Sequence, residues 1–99
     1  MRIDWSPLAL ERVESIAGYI AEDDPVAAER WVVELFESVE RLSDFPDSGR
    51  VVPEVGLSRI RELIFGSYRV IYKVSDKVEI LTVRHGRQLL RLHEIDEKQ

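Results

Sequence analysis

The sequence predicts an α+β fold: a short N-terminal strand, then an antiparallel helical hairpin packed on one face of a small antiparallel sheet that ends in a three-stranded meander. Apolar residues recur every three or four positions through the first half of the chain, which is the spacing of amphipathic helices. In the second half they alternate with polar residues, which is the spacing of strands. The chain has 99 residues, the usual size of one compact unit, so residues 1–99 are expected to form a single domain.

Two pairs of residues mark helix starts. Ser6 precedes Pro7, and Asp24 precedes Pro25. In each pair the first side chain can accept a hydrogen bond from the first turn of a helix, and proline fits the first helical position because no N–H is needed there. Residues 2–5, just before the first pair, alternate apolar and polar side chains and predict the short first strand.

The apolar stripes set the extent of the two helices. They predict a first helix over residues 7–21 and a second over residues 25–45, where Pro46 ends it. The connection between the helices is so short that an antiparallel hairpin is expected, with both stripes facing one core. A loop through residues 51–56 should follow. The stripe positions are Ala9, Val13, Ile16, Ala17 and Ile20, and then Ala28, Val32, Leu35, Val39 and Leu42.

Three runs rich in β-branched and aromatic residues predict the meander. They cover residues 59–65, 68–74 and 78–84. Gly66 begins the turn between the first two runs, and it suits a two-residue hairpin turn whose first position needs a positive φ. Residues 87–99 carry four apolar side chains among charged ones and predict a short helix.

The composition excludes several classes of function. The chain contains no cysteine, which removes disulfides, thiol nucleophiles and thiolate zinc sites. It has no glycine-rich phosphate loop and no His or carboxylate cluster at metal-ligand spacing, so we expect neither a cofactor nor a metal ion. No segment approaches the roughly 20 apolar residues of a membrane span, so a soluble, cytoplasmic protein is expected.

Charge is divided unevenly along the chain. The whole sequence carries a net charge of −5, from 14 basic and 19 acidic side chains. Residues 1–48 hold 4 basic and 12 acidic side chains, whereas residues 49–99 hold 10 and 7, so the two parts carry −8 and +3. The basic part could meet a polyanion or an acidic protein, or it could be ordinary solvated surface.

Basic side chains on and just beyond the predicted strands form the candidate binding surface. The helices can cover only one face of the sheet, so the other face is expected to be solvated or reserved for a partner. Guanidinium groups suit phosphate or carboxylate ligands, although each could instead pair with Glu62, Asp76 or Glu79 on the same sheet. His85 could be a general base or a phosphate contact, or it could donate to a backbone carbonyl at the strand end. The candidates are Arg59, Arg61, Arg69, Lys73, Arg84, His85 and Arg87.

Three segments stand in a fixed order along nearly the whole chain. They are the turn FPDSGR at residues 45–50, the strand pair RELIFGSYRVIY at 61–72 and the last strand VEILTVRHGR at 78–87. Their order and spacing, after a strand and a helical hairpin, resemble the RelE/ParE superfamily of bacterial toxins. The resemblance implies the toxin of a type II toxin–antitoxin pair, held inactive by a ParD-like or RelB-like antitoxin whose C-terminal segment wraps it. Operator DNA would be bound only through the antitoxin, because this chain carries no helix-turn-helix.

The superfamily divides into two functional branches. RelE-like members cleave mRNA on the ribosome, whereas ParE-like members poison DNA gyrase and are not nucleases. Arg69 matches the strand arginine of the nucleases, and Arg69, His85 and Arg87 are the catalytic candidates if the chain belongs with them. However, Gln88 stands near the expected second arginine, the tail after His85 has no tyrosine, and the lysine pair before the meander is absent.

The resemblance to the ParE-like branch is closer. The helical hairpin, the turn PDSG at residues 46–49 and the pattern VEILTVRH at 78–85 match it. An acidic protein is also repelled by ribosomal RNA, whereas gyrase is a protein target. We therefore expect a gyrase inhibitor of the plasmid-stabilising kind that is not an enzyme in its own right, with a ribosome-dependent mRNA endonuclease as the alternative. A third possibility is an inactive homologue that serves only as a scaffold for the antitoxin.

Arg69 is the best single candidate for contact with a target or antitoxin. If it is an exposed charge, Arg69→Ala should lower toxicity or antitoxin affinity while costing less than about 1 kcal/mol of stability.

Overall fold

The described part of the chain folds into two α-helices and five β-strands. The structure is a computed structural model that describes residues 1–86 together with Leu90 and Glu94. The predicted α+β class is confirmed. The elements are β1 (Ile3–Trp5), α1 (Pro7–Asp23), α2 (Pro25–Glu40), a 3-10 turn (Arg41–Ser43), β2 (Arg50–Val51), β3 (Ile60–Phe65), β4 (Tyr68–Val74) and β5 (Val78–His85).

Both predicted helix starts are confirmed by their caps. The Ser6 hydroxyl accepts from the Ala9 N–H at 3.0 Å, and the Asp24 carboxylate accepts from the Ala27 N–H at 3.1 Å. The first helix ends two residues later than predicted. Asp24 explains this, because its own N–H donates to the Ile20 carbonyl at 3.0 Å, so the residue that caps α2 also closes α1.

The second helix ends earlier than predicted, at Glu40 rather than near Pro46. A 3-10 turn continues from Arg41 to Ser43, and it keeps Leu42 buried at 1% exposure. The apolar stripe therefore runs past the α-helix, since a 3-10 turn also returns a side chain to nearly the same face after three residues.

The two helices pack on one face of the sheet around the main core. The ring centroids of Trp5 and Phe36 lie 4.5 Å apart, which joins β1 to α2. The predicted stripes thus meet the strands as expected. The buried residues of this cluster are Ala9, Val13, Leu35, Val39, Leu42, Val70, Tyr72, Val78, Ile80 and Val83.

The sheet has the strand order β1-β5-β4-β3-β2. The predicted meander of β3, β4 and β5 is confirmed as antiparallel, and Gly66 has the positive φ expected at the first hairpin turn, +59°. The sheet is mixed, however, because β1 runs parallel to β5, so the expectation of a wholly antiparallel sheet is wrong at this pair. Alternation identifies a strand but carries no information about the direction of its neighbour.

Residues 50 and 51 form a further strand, where the sequence predicted only a turn and loop. This strand, β2, pairs with Arg61 and Glu62 of β3. Two residues are too few for a periodic pattern, so the sequence holds no signal for it. The predicted helix over 87–99 lies outside the described residues, apart from Leu90 and Glu94.

The turn at residues 46–49 is held by a buried tyrosine. The Tyr72 hydroxyl donates to the Pro46 carbonyl at 2.8 Å and accepts from the Gly49 N–H at 2.9 Å. Tyr72 is fully buried. A Cβ at Gly49 would stand 2.5 Å from both this hydroxyl and the Glu62 carbonyl, so only glycine fits there.

Gly49→Ala is therefore expected to lower the free energy of unfolding by about 1–3 kcal/mol, because the added methyl must push apart the turn and β4. The measurement is urea denaturation. Gly18→Ala is the matched control: it lies in α1 with nothing within 4 Å of its Cβ, and it should stabilise by about 0.5–1 kcal/mol. Equal effects of the two substitutions would contradict this account of the turn.

Candidate functional site

The face of the sheet opposite the helices carries a second, smaller cluster of buried side chains. It contains Val52, Ile60, Ile71 and Leu90, with Val55 and Leu81 packed against it. The loop between β2 and β3 and the C-terminal Leu90 thus cover part of this face. The expectation that the face is solvated or open to a partner is wrong for the part they cover, because strand parity does not reveal which loops fold across a face.

Arg69 lies on this covered face and is 7% exposed, so the expectation that it is an exposed charge is wrong. Its Nε donates to the Glu62 carboxylate at 2.6 Å. Its two terminal nitrogens donate to the two carboxylate oxygens of Glu54, each at 2.9 Å. The guanidinium is therefore held on two edges by carboxylates, which raises its pKa above the ordinary value.

Glu62 is the buried centre of this cluster. Its side chain is fully buried, and Arg50 of β2 forms an ion pair with it from the other side. The contact with Arg69 is the cross-strand pairing that the sequence offered as the alternative to a binding role. Buried carboxylates need such partners, since an unpaired buried charge is costly.

Arg84 forms a second ion cluster beside the first. It is the register partner of Arg69 across β4 and β5. Its terminal nitrogen lies 3.0 Å from the carboxylate of Glu94, which is fully buried and also accepts from the Thr82 hydroxyl at 2.8 Å. Arg12 of α1 reaches the same carboxylate at 3.3 Å. Arg69 and Arg84 carry like charges on neighbouring strands, and each is compensated by its own buried carboxylate, Glu62 for Arg69 and Glu94 for Arg84.

The remaining candidates do not all join this face, so convergence of the whole basic set is not observed. Arg61 points the other way and donates to the Gly49 carbonyl at 2.8 Å. Lys73 lies 3.9 Å from Glu79, as the pairing alternative predicted. The ring of His85 packs against Tyr68, with centroids 5.6 Å apart. Arg59 is exposed in the loop before β3, and Arg87 lies outside the described residues.

One open cleft of about 470 Å³ brings two of the candidates together. It lies at the turn between β3 and β4 and at the end of β5, and Arg69 and His85 both line it, with Ser67 and Tyr68 beside them. Two of the residues that line the cleft are joined by a hydrogen bond, which the Gly86 N–H donates to the Ser67 carbonyl at 2.7 Å. The Arg69 guanidinium is already held by Glu54 and Glu62, so the cleft combines a paired arginine with an imidazole and hydroxyl groups, which can hydrogen-bond a small polar group.

Glu54 and Glu94 are the site residues that sequence reasoning missed. Glu54 lies in a loop and Glu94 in the C-terminal segment, so neither belongs to a strand whose parity could assign it to a face. No signal in the sequence identifies them, unlike Glu62. Among the described residues, no group of three or more His, Asp or Glu side chains is placed to share a metal ion. Within the same part of the chain, no helix is long and apolar enough to traverse a bilayer.

The contact between Arg69 and Glu54 predicts a pH dependence. Hydrogen bonds from Arg69 hold the pKa of the Glu54 carboxyl at about 2, below its ordinary value of 4.5. Because the pKa is lower in the folded state, this contact stabilises the protein above about pH 4.5, and the contribution is lost as the pH falls toward 2. The free energy of unfolding should therefore fall more over this window in the natural protein than in Glu54→Gln. Urea denaturation along a pH series tests this, and equal slopes would contradict it.

Comparison with known proteins places this geometry in a family. The family model described as "ParE toxin of type II toxin-antitoxin system, parDE" matches residues 3–90 of this chain. The chain is 40% identical over 89 residues to Y4kP of Sinorhizobium fredii, whose name describes it as a candidate toxin; the match covers 88% of this chain and 90% of that protein. It is 30% identical over 90 residues to Toxin RelE2 of Caulobacter vibrioides, with 89% and 98% covered.

A solved structure shares the fold. It is described as the chromosomal ParDE toxin–antitoxin system from P. aeruginosa, and it superposes with a TM-score of 0.71 at 20% identity over 86% of this chain and 95% of that one. The family match over residues 3–90 includes every helix and strand of the structure described above. The resemblance found in the sequence is thereby confirmed, and it implies an antitoxin as partner. The chain belongs to the ParE toxin family of type II toxin–antitoxin systems, within the RelE/ParE superfamily.

Proposed function

We propose that this chain inhibits DNA gyrase as a ParE-like toxin and is neutralised in the cytoplasm by a cognate ParD-like antitoxin. The observation that supports this most strongly is that Arg69 is buried and paired with carboxylates. In RelE-like nucleases the matching arginine is a basic group of the active face. Here its guanidinium is 7% exposed and lies between the carboxylates of Glu54 and Glu62, so this side chain offers no net positive charge to an RNA phosphate.

The overall charge supports the same choice of target. A net charge of −5 disfavours approach to ribosomal RNA, where binding depends on positive charge. A protein target makes no such demand. Contact with gyrase or antitoxin is proposed for the cleft that Arg69 and His85 line. The other basic candidates named from the sequence stay predictions for the same contact: Arg59, Arg61, Lys73, Arg84 and Arg87.

The outer surface of the helical hairpin suits the antitoxin. A groove of about 530 Å³ between α1 and α2 is lined by Ala21, Val32 and Val33 among other mainly apolar side chains, and Val33 is 55% exposed. Exposed apolar surface of this kind is typical of protein interaction sites. Because residues 1–48 carry a net charge of −8, the occupant that we propose is a basic amphipathic segment of the antitoxin.

A ribosome-dependent mRNA endonuclease is the second candidate. It is favoured by one observation, which is that Arg69 and His85 line the same cleft. The relative from Caulobacter vibrioides, named a RelE toxin, agrees with it.

Induced expression in a bacterial host distinguishes the candidates. A gyrase inhibitor should cause chromosome breaks and filamentous cells, with growth restored when the cognate antitoxin is expressed with it. A nuclease should stop translation within minutes and leave mRNA cut at positions set by codons. Rapid translational arrest without DNA breaks would contradict the gyrase proposal, and normal growth would leave only a scaffold role.

A further inference from the structure

We propose that the outer edge of β3 at residues 63–65 is a docking site for an extended, basic segment of a protein partner, which adds to the sheet as one more strand. The inference goes beyond the proposed function and does not depend on it. The site shares Ile64 with the cleft described above and shares no residue with the groove between the two helices.

The main chain of Ile64 faces away from the rest of the sheet. The Arg59 carbonyl accepts from the Val74 N–H at 2.9 Å, so it faces β4. The next carbonyl, of Ile60, accepts from the Val52 N–H at 3.1 Å on the opposite side. Alternate residues of an antiparallel strand direct their main-chain groups to the same side, so the N–H and carbonyl of Ile64 point the same way as those of Ile60.

The short strand β2 ends before it reaches Ile64. β2 is the last strand in the sheet order, and its two residues pair with Glu62 and Arg61. Among the residues that the structure describes, no strand pairs with residues 63–65 on the outer side. The N–H and carbonyl of Ile64 are therefore placed to bond the main chain of an added strand.

Residues 63–65 carry no charged side chain. They are Leu63, Ile64 and Phe65, all apolar. At the opposite edge of the sheet, β1 instead carries Asp4, whose carboxylate forms ion pairs on the surface. Natural sheets use charged side chains, proline and bulges to keep exposed edges from pairing. An edge without these features is suited to a strand from a partner.

A groove of about 400 Å³, the edge groove, lies beside these residues. One wall is formed by Leu63 and Ile64, and the other by the end of α2 and the residues after it, among them Leu42 and Phe45. Phe45 is 66% exposed and Ile64 is 54% exposed, and exposed apolar surface of this kind is typical of interaction sites. An extended segment fits better than a helix, because a helix bonds its own main-chain groups and cannot use those of Ile64.

The charge around the edge groove favours a basic segment. Residues 37–48, which supply most of its lining, carry four acidic side chains and one basic side chain. Arg61 lies 3.5 Å from one of the four, Asp47, and an acidic excess remains when this pair is set aside. A second copy of this chain brings the same acidic excess and meets repulsion. All four acidic side chains are exposed, and each directly precedes a lining residue in the sequence: Glu37, Glu40, Asp44 and Asp47.

The test is amide hydrogen exchange measured by NMR on the natural chain, with and without a short synthetic peptide of alternating lysine and valine whose ends are blocked. When the peptide fills about 90% of the sites, exchange of the Ile64 N–H should slow about tenfold, because this N–H exchanges only from the free state. The Leu63 N–H faces β4 and is the internal control, which should be unaffected. A peptide bound only between the helices would leave exchange of the Ile64 N–H unchanged.

A second peptide tests the charge of the partner. With glutamate in place of lysine, the alternating peptide should bind about tenfold more weakly, since it meets the acidic residues beside the edge groove. High salt should reduce the difference between the two peptides, because it screens exposed charges.

Two substitutions test the site from the side of the chain. Ile64→Pro removes the outward N–H and no hydrogen bond between β3 and β4, so the chain should fold but no longer bind the lysine peptide. Phe45→Ser removes an apolar wall of the edge groove and should weaken binding about tenfold even if Ile64→Pro folds poorly. Val26→Ser is the matched control: Val26 is 68% exposed but does not line the edge groove, so binding should be unchanged.

Three results would overturn the inference. They are unchanged exchange of the Ile64 N–H with the lysine peptide, equal binding of the glutamate peptide, and equal binding by Phe45→Ser and Val26→Ser. Protection of Ile64 that rises with protein concentration in the absence of peptide would also overturn it, because the edge would then belong to a second copy of the chain. None of these measurements involves gyrase, so their failure leaves the proposed function standing.

Discussion

Arg69→Ala is expected to lower the free energy of unfolding by about 3–5 kcal/mol, because it removes one partner of a buried ion pair and leaves the other charge in place. The charge left behind is Glu62, whose side chain is fully buried. The loss is large for a domain whose total stability is on the order of 5–15 kcal/mol. Urea denaturation at neutral pH gives the value.

The control for this substitution is Arg50→Ala. Arg50 also pairs with Glu62, but its side chain is 64% exposed. Removal of an exposed partner should cost less than about 1 kcal/mol. If Arg69→Ala were as mild as Arg50→Ala, the buried cluster would not be the source of stability and Arg69 would behave as the exposed charge that the sequence alone suggested.

Leu35→Ala is expected to cost about 2–5 kcal/mol, because it leaves a cavity in the centre of the main core. Leu35 is fully buried between α2 and the sheet. Val33→Ala, two residues earlier on the same helix, is the control. Val33 is 55% exposed, so its truncation should change stability by less than about 1 kcal/mol. A melting temperature unchanged by Leu35→Ala would refute the assigned helix face.

The fold could be predicted well wherever it depends on local chemistry. The caps at Ser6 and Asp24 and the positive φ at Gly66 each follow from a residue and its immediate neighbours. The parallel pairing of β1 with β5 could not be predicted, because alternation within a strand carries no information about which distant strand lies beside it or in which direction that strand runs.

The candidate site was predicted only in part, because contacts between segments far apart in the sequence leave no periodic pattern. The sequence placed Arg69 in a strand and offered Glu62 as one possible partner for an arginine on the sheet, and the two residues do pair across β3 and β4. The carboxylates of Glu54 and Glu94 come from a loop and from the C-terminal segment, and no periodic pattern links such residues to a face. Glu54 holds Arg69 in one buried ion cluster and Glu94 holds Arg84 in another, so neither arginine is the exposed binding residue that the sequence suggested.

Assays with purified components test the central claim most directly. The chain, freed from its antitoxin, is added to gyrase with relaxed plasmid and, in parallel, to ribosomes translating a defined mRNA. We predict that supercoiling is inhibited with cleaved DNA trapped on the enzyme, that the antitoxin reverses this, and that the mRNA stays intact. Cleavage of the ribosome-bound mRNA with supercoiling unaffected would contradict the account.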